Sequence, residues 1–552
     1  MKRWKKIEIA VLSAVTLICG TVSSEASPCA KQSVLSSVKA EELAMETGEN
    51  GLIEVGGNEE WKLPLELRNT TDGAIGVTET SGEGDGADSA HCILREESDV
   101  RLVGSAELPS SYRNENVTAV RNQSSSSLCW AFAATDTCRI NGMKTGTMDG
   151  KDNYSPYHLS FAAHNQKGDC WINDWISGGG NNYMASSAML NWEGPVLEST
   201  CPYPSAFPLT RGVMKASDRH LQSALFLTEP VPSDTGTRQY SDEERLLIRE
   251  KAVEEIKSAI YLYGAVSISF ASSGRDSNTN SYYHELMTDA NGLRKRTSST
   301  HAVVLTGWDD DYATKAENSG AFLLKNSYGE SFGDAGYAWI SYEDASLSAP
   351  FVYICEDSDN GKHEYTEQFA YDGCGYGIMM SGFGGGYANV FTAKRRENIG
   401  AVGFYMPADG EYTVSLERNL KDGIPGTGKV VATASGTTEL MGFCTVVFEE
   451  PVKISSGETF AVVVHSSSGG VTCQFYEGKS TAIKNVTAKR GQSYVCVAGD
   501  DYLDTQDVTR WGVLNNACIR VYANPEKTGR IRYSDLNPDG TASLYKTSNI
   551  LN

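Results

Sequence analysis

No two cysteines in this 552-residue sequence stand in a CxxC pair, and its eight histidines form no HExxH or HxxxH spacing. A compact structural or catalytic zinc site is therefore not expected. Positive charge is scarce: 48 Lys and Arg face 70 Asp and Glu, a net charge of −22. That balance argues against a nucleic-acid partner, which needs a basic face for phosphate, and against adhesion to anionic lipid. Nowhere does an apolar run reach the ~20 residues that span a bilayer. Proline is sparse, 16 residues against 54 glycines, which favours turns and β-structure over long helices. No internal repeat is evident. What remains is an acidic chain with 40% apolar residues, enough for packed cores, and long enough for several domains at about 150 residues each.

The N-terminus reads as an address. Lys2, Arg3, Lys5 and Lys6 precede an apolar stretch from Ile9 to Gly20, and Ser24-Glu25-Ala26 offers small residues at a cleavage site. Residues 1–26 are thus expected to be a signal peptide, and the rest an exported protein without a membrane span. Cys19 is a poor lipid-anchor candidate because the bulky Ile18 precedes it. Export permits disulfides among the remaining cysteines, but spacing does not give their connectivity. Residues 27–107 hold seventeen acidic and six basic residues, and Thr70–Ser89 is almost all small, polar or acidic. This segment is either a solvated linker or a propeptide; composition does not decide between them.

From Leu108 the texture becomes globular. Helices are expected from Cys129 to Ile140, Met184 to Trp192 and Glu243 to Tyr263, the last stopped by Gly264. Strands follow at 265–270, 302–308, 321–325 and 337–342. Helices first and strands later indicate an α+β domain. From about 365 onward, short β-type runs (388–393, 401–406, 412–417, 444–448, 460–465, 472–476 and 517–522) are separated by turn signals such as Asp409-Gly410 and Ser456-Gly457. That spacing indicates an all-β sandwich or jelly roll over 365–524, with a polar tail at 525–552.

One set of residues carries chemistry. Cys129 opens a helix, where unpaired N–H groups and the helix dipole favour a thiolate. His301 begins an apolar strand that would hold an imidazole rigidly. Asn326 follows the strand 321–325 and could orient that ring. Gln123 could donate to an oxyanion. Together they form nucleophile, base, orienter and oxyanion donor for acyl transfer. The run Asp309-Asp310-Asp311 lacks the spaced ligands of a calcium loop and reads as a solvated acidic turn. No metal or other cofactor is expected.

The flanks of these residues resemble the papain-like cysteine peptidases. Val120-Arg-Asn-Gln-Ser-Ser-Ser-Ser-Leu-Cys-Trp-Ala-Phe132 is similar to that family's nucleophile segment without a gap. Leu108-Pro109, Ser155-Pro-Tyr-His-Leu159, Gly179-Gly180, Gly194-Pro-Val-Leu-Glu198, Pro202-Tyr203, Thr300-His-Ala-Val-Val-Leu-Thr-Gly-Trp308 and Leu324-Lys-Asn-Ser-Tyr-Gly329 follow in the family's order. The resemblance covers about 108–345. It implies a two-lobed catalytic domain over 108–350, with a helical left lobe and a β-barrel-like right lobe. It further implies catalytic roles for Cys129, His301, Asn326 and Gln123, and substrate contacts from Gly179, Gly180, Ser127 and Tyr328. Ala388–Ala393, Ile399–Phe404, Gly491–Tyr494 and Asn516–Ile519 resemble the lectin-like domain that follows such peptidases in bacteria and archaea. A glycan partner is implied by that resemblance alone. Tyr476 is an aromatic near a strand end, for which packing is as good a role as sugar contact.

Departures from the family pattern fall around the nucleophile. Ser124 and Ser127 replace glycines, Leu128 replaces a small residue, and Tyr328 replaces a shielding tryptophan. Ser126 and Ser177 stand where the family places a disulfide; Cys170 and Cys201 are the candidates for a different one, and Cys138 reads as core. The paired-histidine loop of exopeptidase relatives is absent. The expectation is a secreted, monomeric bacterial endopeptidase acting on protein or peptide substrates. Two rivals remain: an inactive homologue that binds at a surface or to carbohydrate, and a cell-wall amidase or transpeptidase using the same Cys–His logic.

Overall fold

The computed structural model describes residues 108–148, 152–165, 175–204, 209, 216–355, 365–373, 378–380, 385–474, 487–498, 501–508 and 515–526. The expected signal peptide, the acidic segment 27–107, Cys170, Tyr476 and the tail beyond 526 lie outside these residues.

Among the described residues the first half has four α-helices: α1 (Cys129–Lys144), α2 (Pro156–Asn165), α3 (Asn182–Leu190) and α4 (Asp242–Tyr263). Helix α1 runs one turn past the expected end at Ile140. Gly142 does not stop it, because Met148 packs over that glycine; a Cβ there would lie 2.3 Å from Met148 Sδ. Thirteen of its sixteen residues are buried, so this is a central helix with no solvent face. Asn181 caps α3 by accepting from Met184 N–H, and a Ser241–Glu244 capping box starts α4.

The first half also holds strands β1 (Ser111–Arg113), β2 (Leu221–Phe226), β3 (Val266–Phe270), β4 (His301–Asp309), β5 (Ala321–Lys325), β6 (Tyr337–Ser341) and β7 (Ser348–Cys355), besides the two-residue strands Ser281–Tyr282, Met287–Thr288 and Arg294–Lys295. The second half supplies β8 (Gly386–Thr392), β9 (Glu397–Met406), β10 (Gly410–Arg418), β11 (Lys429–Thr438), β12 (Met441–Ile454), β13 (Thr459–Ser466), β14 (Ser493–Ala498), β15 (Asp501–Asp504) and β16 (Ile519–Pro525). A six-stranded sheet in the order β11-β10-β13-β8-β14-β15 is one layer of this half. The other layer is β16-β9-β12, and this layer does not end at the boundary between the halves. It continues through β12-β2-β7-β3-β4-β5-β6 as one sheet, with β1 paired to β4.

The seam is antiparallel: Met441, Gly442 and Phe443 pair with Phe226, Leu225 and Ala224. Gly442 is required there. It sits at φ 140°, and a Cβ would lie 2.3 Å from the Ala224 carbonyl oxygen. Arg520 fastens the same seam. Fully buried on β16, it donates to the Leu190 carbonyl (2.7 Å) and Asn191 Oδ1 (2.8 Å) at the end of α3, and to the Asp372 carbonyl (2.8 Å). It thus satisfies the Leu190 carbonyl, which α3 leaves open at its end. Helix α1 lies against β4 and β7, which brings Cys129 to the start of the His301 strand.

Candidate active site

Cys129 is the first residue of α1 and is half-buried. Burial raises its thiol pKa; the backbone N–H groups of Ala302, Trp130 and Cys129 itself point at the sulfur and oppose that rise. The Ala302 contact sets the sulfur beside the His301–Ala302 peptide. His301 heads β4 and pairs with Phe270 of β3.

Its tautomer follows from its neighbours. The Ser327 N–H donates to Asn326 Oδ1 at 2.7 Å, so that atom is the amide oxygen. His301 Nε2 lies 2.8 Å from the same oxygen and must be the donor. In the neutral ring Nδ1 is then left as the proton acceptor. Burial pushes the His301 pKa down to about 4, against the Asn326 hydrogen bond, which favours the protonated ring. Tyr328 stacks on the imidazole, with centroids 4.5 Å apart and planes 21° apart, so an aromatic shield is present over the His–Asn contact.

Gln123 is held on both sides. Its backbone N–H donates to the Ser327 carbonyl (2.8 Å), and Asn122 bridges Tyr328, so residues 121–123 run antiparallel to 327–329. Ser327 Oγ donates to Gln123 Oε1 at 2.6 Å, and Gln123 Nε2 donates to the Ser126 carbonyl at 2.8 Å. The amide has a second N–H that these contacts do not use. The Tyr203 hydroxyl donates to the Gln123 carbonyl (2.5 Å) and lies 3.0 Å from Ser126 Oγ. Where the sequence lacks the family's bridging cysteine, a serine hydrogen-bonded to a tyrosine occupies the space.

Ser127 is half-buried and tied through its N–H to the Ile176 carbonyl at 3.0 Å, which sets the loop before Cys129 against the segment leading to Gly179 and Gly180. Leu128 is buried. Gly179 adopts φ 71°, and its carbonyl meets His164 Nε2 at 2.9 Å. Gly180 lies flat on the Trp130 indole, where a Cβ would sit 2.3 Å from Cε2. Ser124 takes φ 53°, the left-handed turn for which the family uses glycine; its N–H is held by Asn122 Oδ1 at 2.8 Å.

Beneath the site lies an ion cluster that sequence reading missed. Asp136 of α1 receives Arg121 Nη2 and Lys325 Nζ, each at 2.5 Å, and Arg121 also meets Glu198 at 2.8 Å. Burial acts to raise the Asp136 carboxyl, but Arg121 and Lys325 outweigh it and hold the group below the usual carboxylate range. The three residues belong to the Gln123 segment, the Cys129 helix and the Asn326 strand. The available signals were a lone Asp inside an apolar helix face and a Lys closing an apolar strand. Ser327 was missed although it adjoins Asn326. Among the described residues no group of three or more His, Cys, Asp or Glu could hold a metal. Asp310 is not a free acidic turn: it pairs with Lys257 and accepts the Tyr342 hydroxyl at 2.8 Å.

Residues 108–350 match the family model described as papain family cysteine protease, and residues 369–523 match that of the lectin like domain. Residues 108–350 are a papain-family cysteine peptidase domain, and a lectin-like domain follows. The peptidase shares its fold with two solved structures. One is the clostridial cysteine protease Cwp84 after propeptide cleavage: 22% identity, 76% of this chain and 100% of that chain covered, TM-score 0.59. The other holds the cysteine protease and lectin-like domains of Cwp84, a surface layer associated protein of Clostridium difficile: 20% identity, 78% and 91% covered, TM-score 0.60. No curated protein matches the peptidase. None of its described helices is long and apolar enough to cross a membrane.

Proposed function

We propose that this peptidase is an exported endopeptidase in which Cys129 attacks the peptide carbonyl and His301 carries the proton. The observation that supports this most is the fixed His301–Asn326 contact beside a thiol at a helix start. With Nε2–H committed to Asn326, Nδ1 takes the Cys129 proton and the thiolate adds to the carbonyl carbon. The Cys129 N–H and the free N–H of Gln123 receive the oxyanion. The imidazolium then protonates the leaving amine. Water, deprotonated by His301, releases the acid from the acyl-enzyme. Asn326 keeps the ring oriented through both halves, and Tyr328 keeps water off their hydrogen bond. Gly179 and Gly180 offer backbone to an extended substrate, with Ser127 at the crevice edge.

The leader 1–26 would direct export, and 27–107 would act as a propeptide. The enzyme would work as a monomer without a cofactor, and its lectin-like domain is where a glycan partner would bind. The test is cleavage of a denatured protein and of internally quenched peptides by wild type, Cys129→Ala and His301→Ala. Internal cuts by wild type and none by either variant support the reading. Cleavage that survives in either variant, or release of terminal residues only, overturns it. Equal activity in full-length protein and in protein beginning at Leu108 would remove the propeptide role.

A further inference from the structure

The serines at 126 and 177 leave the start of the nucleophile helix without a covalent tie. About two and a half turns further along the same helix, two cysteines meet. Cys138 of α1 is fully buried and Cys355, the last residue of β7, is 4% exposed. Their sulfurs are 2.7 Å apart although 217 residues separate them in sequence. That separation is well inside the sum of two sulfur van der Waals radii, so two unbonded thiols do not rest there; a covalent bond of about 2.05 Å is the arrangement such a pair adopts.

The surrounding contacts already fix helix against strand. Asn141 Nδ2, one turn beyond Cys138, donates to the Tyr353 carbonyl at 3.0 Å, and the Tyr353 hydroxyl reaches the Asn182 carbonyl at 3.0 Å. Cys138, Cys355, Tyr154 and Tyr353 share one apolar cluster. Both side chains are sealed from solvent, so neither cysteine is placed to meet a substrate as a second nucleophile.

We propose that Cys138 and Cys355 form a disulfide that ties the nucleophile helix to the last strand of the peptidase domain. This goes beyond the catalytic reading and does not depend on it. The oxidant is a small-molecule disulfide. The thiolate of one cysteine attacks it and expels one small thiolate; the second cysteine's thiolate then attacks the mixed disulfide and expels the other. The two protein thiols lose two protons and two electrons, and the small disulfide is reduced to two thiols. Because both sulfurs are sealed once α1 docks on β7, this exchange occurs before that docking is complete. In the native protein the bridge is shielded from the mild reductants that keep Cys129 a thiol.

The test uses the full chain, refolded with oxidised and reduced glutathione. Accessible thiols are blocked with iodoacetamide in the native state. The protein is then unfolded without reductant, remaining thiols are capped with maleimide, and peptides are mapped by mass. The expected result is a linked pair of peptides carrying Cys138 and Cys355, separated by a phosphine. Maleimide on both residues in protein shown to be folded by circular dichroism overturns the proposal, as does linkage of either to another cysteine. Cys138→Ala and Cys355→Ala are each expected to lower Tm by the same amount, on the order of 5 °C. A Tm in either variant equal to that of the oxidised wild type also overturns it.

Discussion

Replacing Asn326 by Ala removes one acceptor from a closed site. Asn326 is 2% exposed and His301 5%, and their 2.8 Å hydrogen bond is the contact that orients Nε2. In the reactive state the ring is an imidazolium, so the lost bond is charge-assisted and worth about 1.5–3 kcal/mol. At about 1.36 kcal/mol per factor of ten, kcat/KM should fall roughly 10- to 150-fold. The Tyr328 stack still holds the ring plane, which places the expectation toward the lower end. The pH dependence has a definite sign. Burial already depresses His301 to about 4, and Asn326 is the group that opposes this. Its removal depresses the imidazole further and disfavours the thiolate–imidazolium pair. The alkylation rate of Cys129 by iodoacetamide, measured from pH 4 to 9, should therefore fall in parallel with kcat/KM, most clearly on the acid side. KM should change little. A folded Asn326→Ala variant with unchanged kcat/KM, or with a change confined to KM, would refute the reasoning.

Three further outcomes follow from the same geometry. Asp136→Asn leaves Lys325 buried without its counter-charge and Arg121 with Glu198 alone, and should cost about 3–5 kcal/mol in urea unfolding. Because the folded Asp136 carboxyl lies below its ordinary value, its contribution is complete above the unfolded pKa and is lost as pH falls through the folded one; wild type should lose stability there and the variant should not. Gly180→Ala drives a methyl into Trp130 and should destabilise by about 1–3 kcal/mol while raising KM, read by thermal melts and peptide kinetics. Ser124→Gly relieves a left-handed serine and should stabilise by about 1 kcal/mol with kcat/KM unchanged.

Local signals in the sequence carry far. Helix α4 begins at Asp242 and β5 spans 321–325 much as periodicity and caps indicate, because capping and apolar runs are local chemistry. Strands β1, β2, β7, β11, β14 and β15 were not marked. β11 alternates small and exposed residues at the edge of its sheet, and β2 and β7 lie outside any turn-bounded run. The common sheet was invisible too, since the pairing of Gly442 with Leu225 depends on residues more than 200 positions apart and leaves no pattern in either segment. At the candidate site, Cys129, His301, Asn326 and Gln123 stood out through their motifs. The supports were not: Ser327, Tyr203 and the Arg121–Asp136–Lys325 cluster act through long-range contacts, and a buried ion pair looks like surface charge in a sequence.

The most direct test of the account is the reaction of protein beginning near Leu108 with an irreversible epoxide thiol-protease inhibitor, read by intact mass and peptide map. A single adduct on Cys129, absent from Cys129→Ala and lost in His301→Ala, is the predicted result. A folded protein that takes no adduct, or a His301→Ala variant that labels as fast as wild type, would contradict it.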